Sequence, residues 1–305
     1  MEKPEKFVTS NMTASKKRCL LSIIIPVYNS ERYIADAIES LRVQSFRDFE
    51  IIVIDGGSID GTLNILKSYL DDITVLVSEK DNGQSDALNK GLALANGEFV
   101  TWLNSDDLFM PNTLQNFSEL IRINPTSQWF VFNTIIIDSE GYIIRFNKGL
   151  RWFEGFMKVP KMLHIDSPTS IMKTEIVTSL GGFNQSYDYV MDLDLWARLI
   201  KHGETYTRVS GYGYAFRHHS SSKTGTYGYK NKDFKENMLS KNSPRVVQSR
   251  KFEDSHNLHR PSVGYRFKIK LLKLLTTAIF DYYHNLFWTR SHISKYANKV
   301  KLLSR

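Results

Sequence analysis

Along the first 110 residues the apolar positions switch between two spacings. The segment 21–29 (LSIIIPVYN) is a short, nearly unbroken apolar run closed by Pro26 and Asn29. Behind it, 31–44 sets Ile34, Ala37, Ile38 and Leu41 at helical spacing, with Ser30 as the expected N-cap. The alternation then repeats: FEIIVID (49–55) as a strand, a helix carrying Leu63, Ile65, Leu66 and Tyr69, ITVLVSE (73–79) as a strand, SDALNKGLALA (85–95) as a helix stopped by Gly97, and EFVTWLN (98–104) as a fourth strand. Continuous apolar strands separated by helices predict βαβ units and a mainly parallel sheet buried on both faces. Ligands in such sheets bind beyond the carboxyl ends of the strands. The segments that matter are therefore 26–29, 55–60, 79–84 and 104–107.

Residues 112–224 are less regular. WFVFNTIIID and YIIRFNKG, separated by SEG, predict a hairpin over 129–149; SPTSIMK (167–173) is a further strand, and 181–203 contains a loop and then a helix ended by Gly203. YTRVSGYGYAFRHHSSSKT follows as strand and polar loop. Beyond about 230 the chain is polar and basic until 265–287, where Leu271, Leu272, Leu275, Ile279, Tyr282 and Leu286 share a helical face. That helix is too short and too charged to span a bilayer; it fits either an in-plane interfacial helix or one packed on the body.

Charge sharpens this division. The chain carries a net +8, but 14 Lys/Arg against three acids lie from Lys241 onward, leaving residues 1–240 at −3. A slightly acidic body with a basic tail suggests an anionic partner for the tail, with a membrane surface favoured over nucleic acid, because Tyr265, Phe267, Tyr282 and Tyr283 sit at helical, core-like spacing. The single cysteine, Cys19, excludes an intrachain disulfide and fits a reducing compartment. Residues 1–19 lack the apolar stretch of a signal peptide and are expected to be a disordered tail.

Acidic residues at strand exits either cap the next helix or bind a ligand. Asp60, just before Gly61 and Thr62, is expected to cap. Asp55 directly follows IIVI, with Gly56 and Gly57 opening the backbone behind it, so its carboxylate can accept hydrogen bonds from a nucleobase or a ribose. GGSIDG does not match G-x-G-x-x-G, and no G-x-x-x-x-G-K-[ST] occurs, which removes the dinucleotide and P-loop readings. Asp106 and Asp107, with Asn104 and Ser105, form an all-oxygen set suited to Mg²⁺ or Mn²⁺ or, alternatively, an ordinary solvated acidic loop.

PVYN, IDGGSIDGT, DNGQSDALNKGLALANGEFV and LNSDD occur in an order that resembles glycosyltransferase family 2, inverting enzymes of the GT-A fold, and the likeness extends through GGFN, VMDLDLW and FRHHSSSKT. It covers roughly 20–225 and implies a Rossmann-like mixed sheet with helices on both faces: a nucleotide-binding half (20–110), an acceptor and base half (111–225), and a basic helical extension (226–305). The resemblance implies that Pro26, Tyr28, Asn29 and Gly57 lie beside the nucleotide and that Asp55 faces the base. Asp86 and Lys90 would flank the donor sugar or diphosphate, and Asn104 and Ser105 would lie on the ribose side. Asp106 would bind Mg²⁺ or Mn²⁺ with Asp107 and His219 beside it, Lys223 would reach the phosphates, and Asp192 would be the base. Asp192 also fits a first-turn helix acid, a role open equally to Asp194. Three positions depart from the commonest pattern: Gly56 for the second aspartate of DDGS, Asn104 for the first of DxD, and Met191 for the acid before the base. The implied donor is a nucleoside-diphosphate sugar, with UDP favoured, and the implied acceptor is a glycan or lipid-linked hydroxyl. The expected location is the cytoplasm, peripherally on the inner face of the membrane. A nucleotidyltransferase is the rival enzyme, although PVYNSER stands where its glycine-rich loop belongs; a non-catalytic nucleotide-sugar binder is the rival outside catalysis.

Overall fold

The structure is a computed structural model, which describes residues 7–10, 18–147, 169–187 and 189–223. The strands are β1 (Phe7–Ser10), β2 (Leu21–Val27), β3 (Phe49–Asp55), β4 (Val75–Ser78), β5 (Phe99–Trp102), β6 (Leu108–Phe109), β7 (Trp129–Ile137), β8 (Ile143–Asn147), β9 (Ser170–Lys173) and β10 (Thr207–Arg217). The helices are α1 (Ile34–Arg42), α2 (Thr62–Lys67), α3 (Gln84–Leu94), α4 (Thr113–Ile123), α5 (Thr174–Ser179) and α6 (Met191–His202). All ten strands join one sheet in the order β1-β4-β3-β2-β5-β9-β7-β10-β6, with β8 paired to β7. The sheet is mixed. Its centre, β4-β3-β2-β5, is parallel, and so is the β7–β10 pair, while β1, β6, β8 and β9 join antiparallel.

The unbroken apolar strands have the expected cause. Leu21, Ile23, Ile25 and Val27 face one layer with Ile34, Ala37, Ile38 and Leu41 of α1, and Leu114 and Phe117 of α4. Ile24 points the other way, against Leu88 and Leu92 of α3 and a cluster that includes Trp102, Trp129 and Trp196. Each strand residue therefore meets a helix on one face or the other. Gly91 is what lets α3 lie this close, since a Cβ there would stand 2.4 Å from a methyl of Ile24. Gly203, at φ 100°, ends α6 as its position predicts.

Several local expectations change. Ser30 does not cap α1: residues 31–33 form a turn first, and Ser30 supplies its carbonyl to the Ile34 amide while its hydroxyl reaches the Ser105 carbonyl. Asp60 stands one residue ahead of the cap position of α2, and its carboxylate accepts from the amides of Thr62 and Glu31. Residues 7–10, expected within a disordered tail, pair with β4. The helices α4 and α5 and the short strand β6 are additions that the spacing does not predict. The remainder of the 129–149 hairpin, residues 167–168 of the expected strand, and everything from 224 onward, including the 265–287 helix, lie outside the described residues.

Candidate active site

The parallel centre aims the ends of β2, β3, β4 and β5 toward one edge, and an open cleft of about 1060 Å³ lies there. Pro26, Tyr28 and Asn29 line it from the β2 exit, and Gly57 from β3. Asn104, Ser105 and Asp106 line it from β5, Asp192 from the start of α6, and His219 and Lys223 from the segment after β10. Ten of the fourteen residues singled out in the sequence therefore share one cavity.

Local backbone shapes the β2–β3 end of the cleft. Asn29 adopts φ 49°, and its side-chain oxygen accepts the Ile59 amide while its own amide donates to the Ser58 hydroxyl. Those bonds clamp the β2 exit to the β3 exit. Gly57 sits at φ 82°, a conformation that disfavours any side chain there. Tyr28 is left 61% exposed on the rim.

The LNSDD segment is resolved into different roles. Asp106 keeps its carboxylate at the cleft, with Oδ2 2.9 Å from Nε2 of His219. Nδ1 of His219 meets the Ser221 hydroxyl at 3.1 Å, and its ring packs on Tyr33 with centroids 4.6 Å apart. Asp107 faces away from the cleft and is fully buried. Its Oδ1 accepts the Arg217 amide at 2.7 Å, and its Oδ2 accepts the Tyr214 hydroxyl at 2.6 Å and the Asn104 amide group at 2.8 Å. With both oxygens so engaged, Asp107 is built into the fold rather than offered to a cation. Burial, reinforced by the neighbouring Asp106 charge, pushes its carboxyl well above the usual carboxylate range, while these hydrogen bonds oppose the shift. The same burial and the Asp107 charge push the Tyr214 phenol upward.

This arrangement gives Asn104 a reason. Its NH₂ donates to Asp107, and its Oδ1 accepts from Nε2 of Gln84 at 2.9 Å. A carboxylate at 104 would instead set a third negative group against Asp107. Gln84, which sequence reasoning passed over, opens α3 and also accepts from Nζ of Lys223 at 3.2 Å. Its signal was available: it follows Gly83 at the start of a helix whose first turn faces the cleft.

Three other candidate residues lie outside the cleft lining. Asp55 is fully buried, its oxygens held by the Ser58 amide and hydroxyl and by the Ser78 hydroxyl at 2.6 Å, and it does not line the cleft. Asp86 accepts the Asn82 amide and the Gln185 side chain, and Lys90 binds Glu79 at 3.0 Å; both brace the loop before α3, outside the cleft lining. Of the two acids of α6, Asp194 is buried and paired with Arg198 at 2.7 Å, whereas Asp192 lines the cleft. Among the described residues no three His, Cys, Asp or Glu side chains form a complete ligand cluster.

Residues 22–177 match the family described as Glycosyl transferase family 2. The chain belongs to glycosyltransferase family 2. An uncharacterized family relative in Rickettsia typhi is 32% identical over 193 residues, covering 61% of this chain and 60% of that one. The chain therefore spans about 60% of that curated relative's length. The crystal structure of S. aureus TarS 1–349 in complex with UDP-GlcNAc superposes with a TM-score of 0.55 at 22% identity, covering 71% of this chain and 64% of that one. A mannosyltransferase from Pyrobaculum calidifontis, in complex with GDP-Man and Mn²⁺, superposes at 0.52 and 15% identity over 96% of this chain and 90% of the other. At those identities the likeness establishes the fold, which is GT-A. No described helix of this family 2 member is long and apolar enough to cross a membrane.

Proposed function

We propose that this protein transfers a sugar from a nucleoside-diphosphate sugar to an acceptor hydroxyl, with inversion at the anomeric carbon. The observation that carries the reading is the meeting, in one cleft, of the Asp106–His219 pair, the rim of Tyr28 and Asn29, and Asp192. The solved relatives noted above hold UDP-GlcNAc or GDP-Man, which supports a donor of this class.

In this mechanism Asp192 takes the proton from the acceptor hydroxyl as its oxygen attacks the anomeric carbon. Asp192 lies in the first turn of α6. The departing diphosphate gathers negative charge, which Lys223 and the amino-terminal turn of α3, both lining the cleft, would receive. The acceptor enters from the β7–β8 side, where Thr134, Arg145 and Asn147 continue the same cleft.

A divalent cation fits part of this donor set. Asp106 and His219 offer one carboxylate and one imidazole, and a partial set of this kind suits Mg²⁺ or Mn²⁺, which take substrate phosphates and waters as their other ligands. Held by those two residues, it would neutralise charge on the leaving diphosphate. The acceptor is taken to be a glycan or lipid-linked glycan of surface polysaccharide assembly, with 265–305 resting against an anionic membrane.

Nucleoside diphosphate release from a panel of donors, measured for wild type and Asp192→Asn, tests the assignment. The variant should bind donor normally and lose about 10²–10⁴-fold in turnover. Full transfer activity in Asp192→Asn with every accepted donor would remove Asp192 from the role of base.

A further inference from the structure

Gly56 leaves the β3 exit without the second aspartate of the common DDGS pattern, and Asp55 cannot take over, because Ser58 and Ser78 hold its oxygens inside the fold. What occupies the place of the missing side chain is visible in the structure. A Cβ on Gly56 would lie 2.5 Å from Oδ2 of Asp81 and 2.9 Å from its Cγ. The Gly56 φ lies outside the left-handed region, so its backbone would accept a side chain, but only if the Asp81 carboxylate moved aside.

Asp81 arrives from the loop between β4 and α3 and lines the cleft beside Pro26, Tyr28 and Gly57. Its Oδ1 accepts the Gly83 amide at 2.9 Å, which fixes the carboxylate plane. Its Oδ2 accepts no hydrogen bond from the described residues. At the same end of the cleft Asp60 has both oxygens engaged, by the Thr62 and Glu31 amides, and one oxygen of Glu31 accepts the Gly61 amide. Partial burial pushes the Asp81 carboxyl above its ordinary value, so an N–H donor that favours the ionised form is a suitable partner for it.

We propose that Asp81 is the base-recognising residue of this enzyme: its carboxylate, delivered from the β4–α3 loop into the space that Gly56 leaves, accepts the ring N–H of a uracil-type or guanine-type base. The proposal rests on the nucleotide-sugar reading above. Uracil carries N3–H and guanine N1–H where cytosine and adenine present an acceptor nitrogen, and a carboxylate facing an acceptor is repelled. One hydrogen bond to a charged group gives a preference of about 10- to 100-fold.

The test is calorimetric binding of UDP, GDP, CDP and ADP, with Mg²⁺ present, to wild type and four variants. Wild type should prefer UDP or GDP over CDP and ADP by about 10- to 100-fold. Asp81→Ala should bring that ratio to within a few-fold, mainly through weaker binding of the preferred nucleotide. Asp81→Asn, of the same shape, should gain CDP binding, because its NH₂ can donate to cytosine N3. Gly56→Asp alone should bind poorly, since two carboxylates then compete for one space. Gly56→Asp combined with Asp81→Gly should recover the preference, because the carboxylate returns to the same place from the other loop.

An unchanged base preference in Asp81→Ala, or equal losses for all four nucleotides, would overturn the assignment while leaving the nucleotide-sugar reading intact. Failure of wild type to bind any nucleoside diphosphate would instead overturn that reading, and this proposal with it.

Discussion

At the scale of single residues, the decisive contrast is between adjacent aspartates. Asp106 holds its carboxylate at the cleft against His219, while Asp107 is sealed behind it by Tyr214, Asn104 and the Arg217 amide. Asn104 is the neutral member that makes this tolerable. Asn104→Asp should remove one donor from Asp107 and add a charge beside it, lowering stability by about 1–3 kcal/mol. The sign of its pH dependence follows from the raised Asp107 carboxyl. A carboxyl whose folded pKa is raised holds its proton in the folded state after the unfolded chain has released it, so stability falls as pH rises through that window. Urea denaturation should therefore show a larger deficit for the variant at pH 8 than at pH 5, and a deficit that does not change with pH would refute the like-charge account. The sequence alone offered LNSDD as an oxygen-rich cluster. It could not say which oxygens were already taken, because their partners, Tyr214 and Arg217, lie more than 100 positions away.

At the scale of elements, Arg217 at the end of β10 ties three pieces together. Its guanidinium reaches Asp36 of α1 at 2.9 Å, the Ser139 carbonyl in the β7–β8 turn at 3.2 Å, and the Asp106 carbonyl after β5 at 2.8 Å, while lying over the Tyr33 ring. Arg217 is 1% exposed and Asp36 is partly buried, so removing the cation strands a carboxylate whose pKa burial already raises. Arg217→Met should cost about 3–5 kcal/mol. Arg32→Ala, which breaks an exposed pair with Glu140, should cost under about 1 kcal/mol. Chemical denaturation of both variants measures the difference, and equal small losses would deny Arg217 this bracing role. The strands and helices of 21–104 were legible because each has its own periodicity. By contrast, α4 is amphipathic but lies in a stretch without clear strand neighbours, and β6 is only two residues long, so neither registered as a pattern.

At the scale of the whole molecule, the acidic body and basic tail bear on location. Deleting 265–305 should abolish sedimentation with vesicles containing anionic lipid and leave binding to neutral vesicles unchanged; undiminished binding to the anionic vesicles would end the membrane proposal. Local sequence determined the βαβ order, the two-faced burial of β2 and β3, and the strand exits where a ligand belongs, because backbone period and apolar spacing are short-range properties. It also supplied the family motifs. The tertiary structure alone decided which acids face the cleft. Asp55 and Asp86, conspicuous in the sequence, are consumed by Ser58, Ser78, Asn82 and Gln185, while Asp81, inconspicuous beside Asn82 and Gly83, stands against Gly56 in the cleft. Whether a carboxylate is structural or available depends on donors brought from distant strands, and only the folded chain brings them together.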